Sequence, residues 1–227
     1  MAHEVSITDL ITDDFQQIIK SHGITIISKD FHRLTHPHFL NDQIIDFYLA
    51  MIQERSRRNI PSTSRTPKKL LPSVYAFSSF FYEKLTRHST ESVKTWPKED
   101  IFFHSIIFVP INNIQIKHWS LVAIDTRNKT ITYYDSKGYT DQTAVSNVKK
   151  YLVSEHERQH QSTLDIDLWK TVTPDDIPKQ EDKTECGVFL CMYAEYLSRE
   201  APFCFTVKDT KYFRARMKYE ILKDALL

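Results

Sequence analysis

The stretch DKTECGVFLCMYAEYL, residues 182–197, decides the architecture. From Val188 to Leu197 it carries one charge, Glu195, and so reads as a helix buried nearly all round. Asp182 answered three residues later by Glu185 has the form of a capping box, which puts Cys186 in the first turn of that helix. A cysteine in a first turn lies beside unpaired N–H groups and the positive end of the helix dipole, a setting that favours thiolate over thiol. Cys191, in the middle of the same helix, and Cys204, in the mixed stretch APFCFTV, read instead as packed and inert. The chain has only 3 glycines in 227 residues, far below the usual ~7%. Gly187, directly after the cysteine, is therefore expected to clear space beside the sulfur for a substrate backbone.

A free thiol is only slightly ionised at neutral pH, so a catalytic cysteine usually works with a histidine. Of 10 histidines, His118 has the telling context. His118-Trp119 opens a strand-like run to Asp125; the polar turn Thr126-Arg127-Asn128-Lys129 follows, then a second run from Thr130 to Asp135. This pattern predicts a hairpin whose facing residue numbers sum to about 255. Asp135 then lies near Ser120, one diagonal neighbour from His118. A carboxylate on one ring nitrogen and a thiol on the other is the arrangement that nucleophilic acyl transfer needs. Gln180, in the loop feeding the cysteine helix, could donate an amide hydrogen to the oxyanion together with the Cys186 N–H.

These residues, in this order, resemble the Ulp/sentrin-specific proteases, cysteine peptidases that process SUMO and remove it from conjugates. The similarity runs from about Ile24 to Leu227. It includes Phe39-Leu40-Asn41-Asp42-Gln43-Ile44-Ile45-Asp46-Phe47-Tyr48, the block from Val74 to Phe81, Val109-Pro110-Ile111, Ile131 to Ser136, and Tyr212-Phe213-Arg214-Ala215-Arg216-Met217. The resemblance implies Cys186 as nucleophile, His118 as base and acid, Asp135 as its orienter and Gln180 in the oxyanion hole. It further implies Trp119 as a lid over a Gly-Gly tail and Asp42 as the contact for a basic side chain on the modifier. Phe39 stands where the family usually has Trp and would form the other wall of the tunnel. Six residues, 112–117, separate Pro-Ile from His-Trp, a longer loop than expected in the nearest relatives. The implied partner is SUMO or a related ubiquitin-like modifier with its lysine conjugates. An isopeptidase of the same fold acting on ubiquitin or another ubiquitin-like modifier, including a pathogen effector, and an acetyltransferase of the same clan are the alternatives.

Composition sets the remaining expectations. Net charge is +1, with 30 basic and 29 acidic side chains, which argues against bulk nucleic-acid binding. Three cysteines, with no secretory or membrane-length apolar run, fit a reducing compartment, nucleus or cytoplasm. No cofactor or metal is expected: His32, His36 and His38 have no cysteine pair nearby, and Pro37 interrupts them. The basic cluster Arg55, Arg57, Arg58, Arg65, Lys68 and Lys69 reads as a solvated surface following a helix. We expect a leader over residues 1–20, with a short helix over Asp13 to Lys20, and one catalytic domain over 21–227, acting as a monomer. Strand-like Ile24 to Ile27, a helix from Ser28, a helix from Asn41 to Arg55 and a loop from Ser56 to Lys69 come first. Helical Val74 to Leu85, a strand from Phe102 to Pro110 and the hairpin follow. A helix near 143–161, a strand near 169–173, the Cys186 helix and a last helix near 209–226 complete an α+β fold of papain-like, Ulp type, with a mixed central sheet flanked by helices.

Overall fold

Along the chain run β1 (Ile19–Ser21), β2 (Ile24–Ile26), α1 (Ser28–His32), α2 (Asp42–Arg58), β3 (Val74–Ala76), α3 (Phe80–His88), β4 (Ile106–Asn113) and β5 (His118–Asp125). Then come β6 (Thr130–Tyr134), α4 (Gln142–His160), β7 (Lys170–Val172), α5 (Cys186–Ser198) and α6 (Thr210–Lys223). The structure, a computed structural model, describes residues 18–35, 37–58 and 70–227.

Five strands form one sheet in the order β3-β4-β5-β6-β7. Its outer pairs are parallel and its inner pairs antiparallel. The centre is the run of apolar residues in β4 and β5, whose alternation feeds two cores. Phe108, Trp119, Leu121 and Ala123 face one core with α2, α5 and α6. Ile107, Val109, Val122 and Ile124 face the other with α3 and α4. A sheet covered on both faces explains why these strands are apolar on both sides. The hairpin has the predicted register: Leu121 faces Tyr134 and Val122 faces Tyr133. Asp125 closes its turn, its carboxylate accepting from the backbone N–H groups of Arg127 and Asn128, each at 3.0 Å.

Several elements differ from the sequence expectation. The helix expected over Asp13 to Lys20 falls outside the described residues for 13–17, while Ile19 and Lys20 lie in β1. There Ile19 pairs with Ile26 and also packs on the core, so pairing overrides local propensity. His22 and Gly23, both at positive φ, turn β1 into β2. Val74–Ala76 is a parallel edge strand on Ile106–Phe108 and not the start of a helix. The helix begins only at Phe80, after the Asp46 carboxylate has taken the Ser79 N–H and the Ser78 hydroxyl, both at 2.7 Å. The strand expected over Phe102 to Pro110 is shifted to Ile106–Asn113, because Asp100 caps a short 3₁₀ turn over Ile101–Phe103. Asn112 and Asn113 thus belong to β4, and only 114–117 form the connection to His118. Helix α2 runs on to Arg58. The rest of the expected loop, with Arg65, Lys68 and Lys69, lies outside the described residues, as does His36.

Candidate active site

His118 is the first residue of β5, and Asp135 follows the last residue of β6. In this register they meet across the hairpin diagonal: Nε2 of His118 is 2.8 Å from Oδ2 of Asp135. Both are buried, at 3% and 2% exposure. The carboxylate is itself held. Its Oδ1 accepts the Lys137 N–H at 2.7 Å, and its Oδ2 takes the Tyr133 hydroxyl at 3.4 Å, which also bonds Ser120 Oγ at 3.0 Å. Burial and the Asp135 charge push Tyr133 far above the usual phenol range, so it remains a protonated donor.

Cys186, at the first residue of α5, is 1% exposed. It is near enough to His118 to act on the imidazole electrostatically, without a hydrogen bond to it. Asp135 occupies Nε2, and the buried Nδ1 has no hydrogen-bond partner among the described residues, so it is the ring atom left to exchange a proton with a thiol. Burial alone would disfavour the imidazolium. The Asp135 bond and charge, together with the nearby Cys186, outweigh it and push His118 up to about 9. At neutral pH the ring is then protonated, and an imidazolium beside a cysteine is useful to nucleophilic chemistry when the thiol supplied that proton. The arrangement can hold a thiolate–imidazolium pair.

Gln180 joins the same cluster through Ser136, the neighbour of Asp135. Its N–H donates to the Ser136 carbonyl at 2.8 Å, and its Oε1 accepts the Ser136 hydroxyl at 2.6 Å. One hydrogen of its Nε2 goes to the Asp182 carbonyl. Trp119 alternates with His118 to the opposite sheet face and is 4% exposed. Its indole N–H donates to the Leu40 carbonyl at 3.0 Å, which fixes the ring against the segment carrying the half-buried Phe39. Asp42 opens α2 and lines a surface concavity with Lys29, Asp30, Arg33, Asn41 and Gln43.

Three expectations about this region need correction. Gly187 does not open a path to the sulfur. A Cβ there would meet Leu40 Cβ at 2.9 Å and Ile45 Cδ1 at 3.3 Å, so the missing side chain admits Leu40 against the first turn of α5. The capping box is also absent. Asp182 Oδ1 does accept the N–H groups of Thr184 and Glu185, at 2.8 and 3.1 Å, but Glu185 turns inward to Arg214, at 2.9 Å, instead of answering. Cys204 is exposed, its thiol directed to the Tyr196 hydroxyl, because Phe203 and Phe205 on either side take the core positions. Cys191 is fully buried, and burial pushes its thiol far up, as an inert cysteine requires. Sequence reasoning gave Glu185 the role of a cap and assigned none to Arg214, Tyr133 and Ser136, which entered only within the Tyr212 to Met217 and Ile131 to Ser136 blocks.

Residues 38–226 match the model of the Ulp1 protease family, C-terminal catalytic domain. The chain belongs to that family. Among relatives, human sentrin-specific protease 2 is 36% identical over 207 residues, covering 90% of this chain and 33% of the relative. A sentrin-specific protease of Caenorhabditis elegans is 36% identical over 214 residues, covering 93% of this chain and 29% of the relative. The chain thus spans about a third of the length of such family members. Among solved structures, the C-terminal Ulp1 protease domain in complex with Smt3, the yeast ortholog of SUMO, superposes with a TM-score of 0.76 at 29% identity. That match covers 93% of this chain and 90% of the other.

Proposed function

We propose that the chain is a SUMO-directed thiol peptidase that hydrolyses the bond after a C-terminal Gly-Gly, in modifier precursors, in lysine conjugates, or in both. The observation that carries this reading is a buried histidine–carboxylate pair, with a buried cysteine near the imidazole at the start of a helix, on the fold of a protease domain solved with a SUMO ortholog. Residues 21–227 form the proposed catalytic unit, acting as a monomer inside the cell, in nucleus or cytoplasm. No metal or cofactor takes part in the steps below.

The Cys186 thiolate attacks the glycine carbonyl carbon, forming the C–S bond and placing charge on the carbonyl oxygen. The backbone N–H groups that open α5 have no intrahelical acceptor and, with the second hydrogen of Gln180 Nε2, receive that charge. His118 gives its Nδ1 proton to the leaving amine as the C–N bond breaks. A water then attacks the thioester, giving its proton to the now neutral imidazole, and the C–S bond breaks to restore the ion pair. Phe39 and Trp119 form the walls past which only backbone without Cβ reaches the sulfur. Asp42 holds a basic side chain of the modifier.

The test is turnover on C-terminal fluorogenic amides of SUMO and of ubiquitin at equal concentration. The expected result is a kcat/KM for SUMO at least about 100-fold above that for ubiquitin, the size of a few lost polar contacts. Preference for ubiquitin would replace this reading with the ubiquitin isopeptidase alternative.

A further inference from the structure

Arg214 of α6 is 2% exposed and spends its guanidinium on four positions from two separate chain regions. Its Nε–H is shared by the two Glu185 oxygens at 2.9 and 3.1 Å. One terminal nitrogen donates to the Arg33 carbonyl at 2.8 Å. The other donates to the His38 carbonyl at 2.8 Å and the Thr184 carbonyl at 3.3 Å. Glu185 is 0% exposed and immediately precedes Cys186; His38 immediately precedes Phe39.

The two regions also meet beyond the guanidinium. Leu40 packs where Gly187 lacks a side chain, and its carbonyl takes the Trp119 N–H. Arg214 therefore closes a loop of contacts running from Glu185 through Cys186 and Gly187 to Leu40 and back through His38. A buried ion pair gives little net stability over an apolar pair of similar volume. What it supplies here is fixed geometry, because a planar fork with five donors holds several acceptors at set directions and a lysine ammonium does not.

We propose that Arg214 and Glu185 are positioning residues that fix Cys186 relative to the Phe39–Leu40 wall. The inference rests on the reading of Cys186 as nucleophile. Helix α5 carries its own control. Glu195, also 0% exposed, is bonded by Arg55 at 2.9 Å and by Arg199 at 2.6 and 2.7 Å. It lies nine residues beyond Cys186, about 14 Å along the helix, and bonds none of the site residues.

Glu185→Gln, Arg214→Lys and Glu195→Gln in the full chain test the proposal. Two readouts are taken on each: kcat and KM on the SUMO amide, and hydrogen exchange resolved by peptide. Displacing a reacting group by an ångström can cost about 100-fold. Glu185→Gln and Arg214→Lys are expected to lower kcat at least about tenfold. They should also speed exchange in segments 38–42 and 183–189 more than elsewhere. Glu195→Gln should lower the melting temperature while leaving kcat within about twofold. Should Glu185→Gln not fold, Arg214→Lys, which keeps the buried charge, carries both readouts. Unchanged kcat in the Glu185 and Arg214 variants, or an equal loss in Glu195→Gln, overturns the proposal. If the parent chain cleaves no SUMO amide, the failure belongs to the proposed substrate. Exchange then decides alone: acceleration confined to the two segments supports the positioning role, and uniform acceleration overturns it.

Discussion

Cys186→Ala is expected to remove turnover, by at least about 10⁵-fold, while the variant stays folded and still binds the modifier. The size follows from deleting a nucleophile whose partners act with it as a unit, so that losing one member forfeits most of the catalytic gain. The fold survives for a local reason. The substitution deletes one sulfur at a position 1% exposed, and alanine is the residue best suited to a helix. Neither Phe39 and Trp119, the proposed walls, nor Asp42 has a hydrogen bond to the thiol. The measurements are single-turnover hydrolysis and the dissociation constant for the mature modifier. Residual turnover within about 100-fold of the parent would move the nucleophile elsewhere.

Asp135→Asn tests the imidazole. In the parent, burial lowers the His118 pKa, and the Asp135 and Cys186 interactions reverse that and bring it to about 9. Replacing the carboxylate removes the largest opposing contribution, so desolvation prevails and the imidazolium is lost at neutral pH. The amide can also favour the wrong tautomer. We expect kcat/KM to fall by about 10³–10⁴. In the parent the alkaline limb of the pH profile should lie near 9, where His118 loses the proton meant for the leaving amine; in Asp135→Asn it should move below neutral. Stability follows the same sign. A folded pKa above the ordinary 6.5 means that the pair's contribution is full below about 6.5 and is lost as pH rises through about 9. The melting temperature of the parent should therefore decline over that interval more than that of Asp135→Asn. Coincident alkaline limbs in the two proteins would contradict the assignment.

The parts legible in the sequence are those fixed by short-range pattern. The hairpin register followed from two alternating runs about a polar turn, and with it the His118–Asp135 contact. The apolar run after Gly187 announced a buried helix, and Cys186 lies in the first turn of α5 as read, without the capping box. What escaped depends on partners distant in sequence. Val74–Ala76 is a strand because Ile106–Phe108 lies beside it, and its three residues carry too little pattern to say so. Glu185 has the right spacing to answer a cap, yet Arg214, 29 residues later, draws it inward. Gly187 was legible as a close approach, but the approaching group is Leu40, 147 positions earlier, and not a substrate.

The central claim, that Cys186 is the sulfur acylated by a SUMO-type C-terminus, is tested most directly by an electrophilic probe. SUMO and ubiquitin carrying a C-terminal thiol-reactive group are incubated with the chain, and the adducts are digested and sequenced by mass spectrometry. The account predicts one SUMO adduct, on the peptide bearing Cys186 and suppressed in Asp135→Asn. An adduct on Cys204, or labelling by ubiquitin alone, would contradict it.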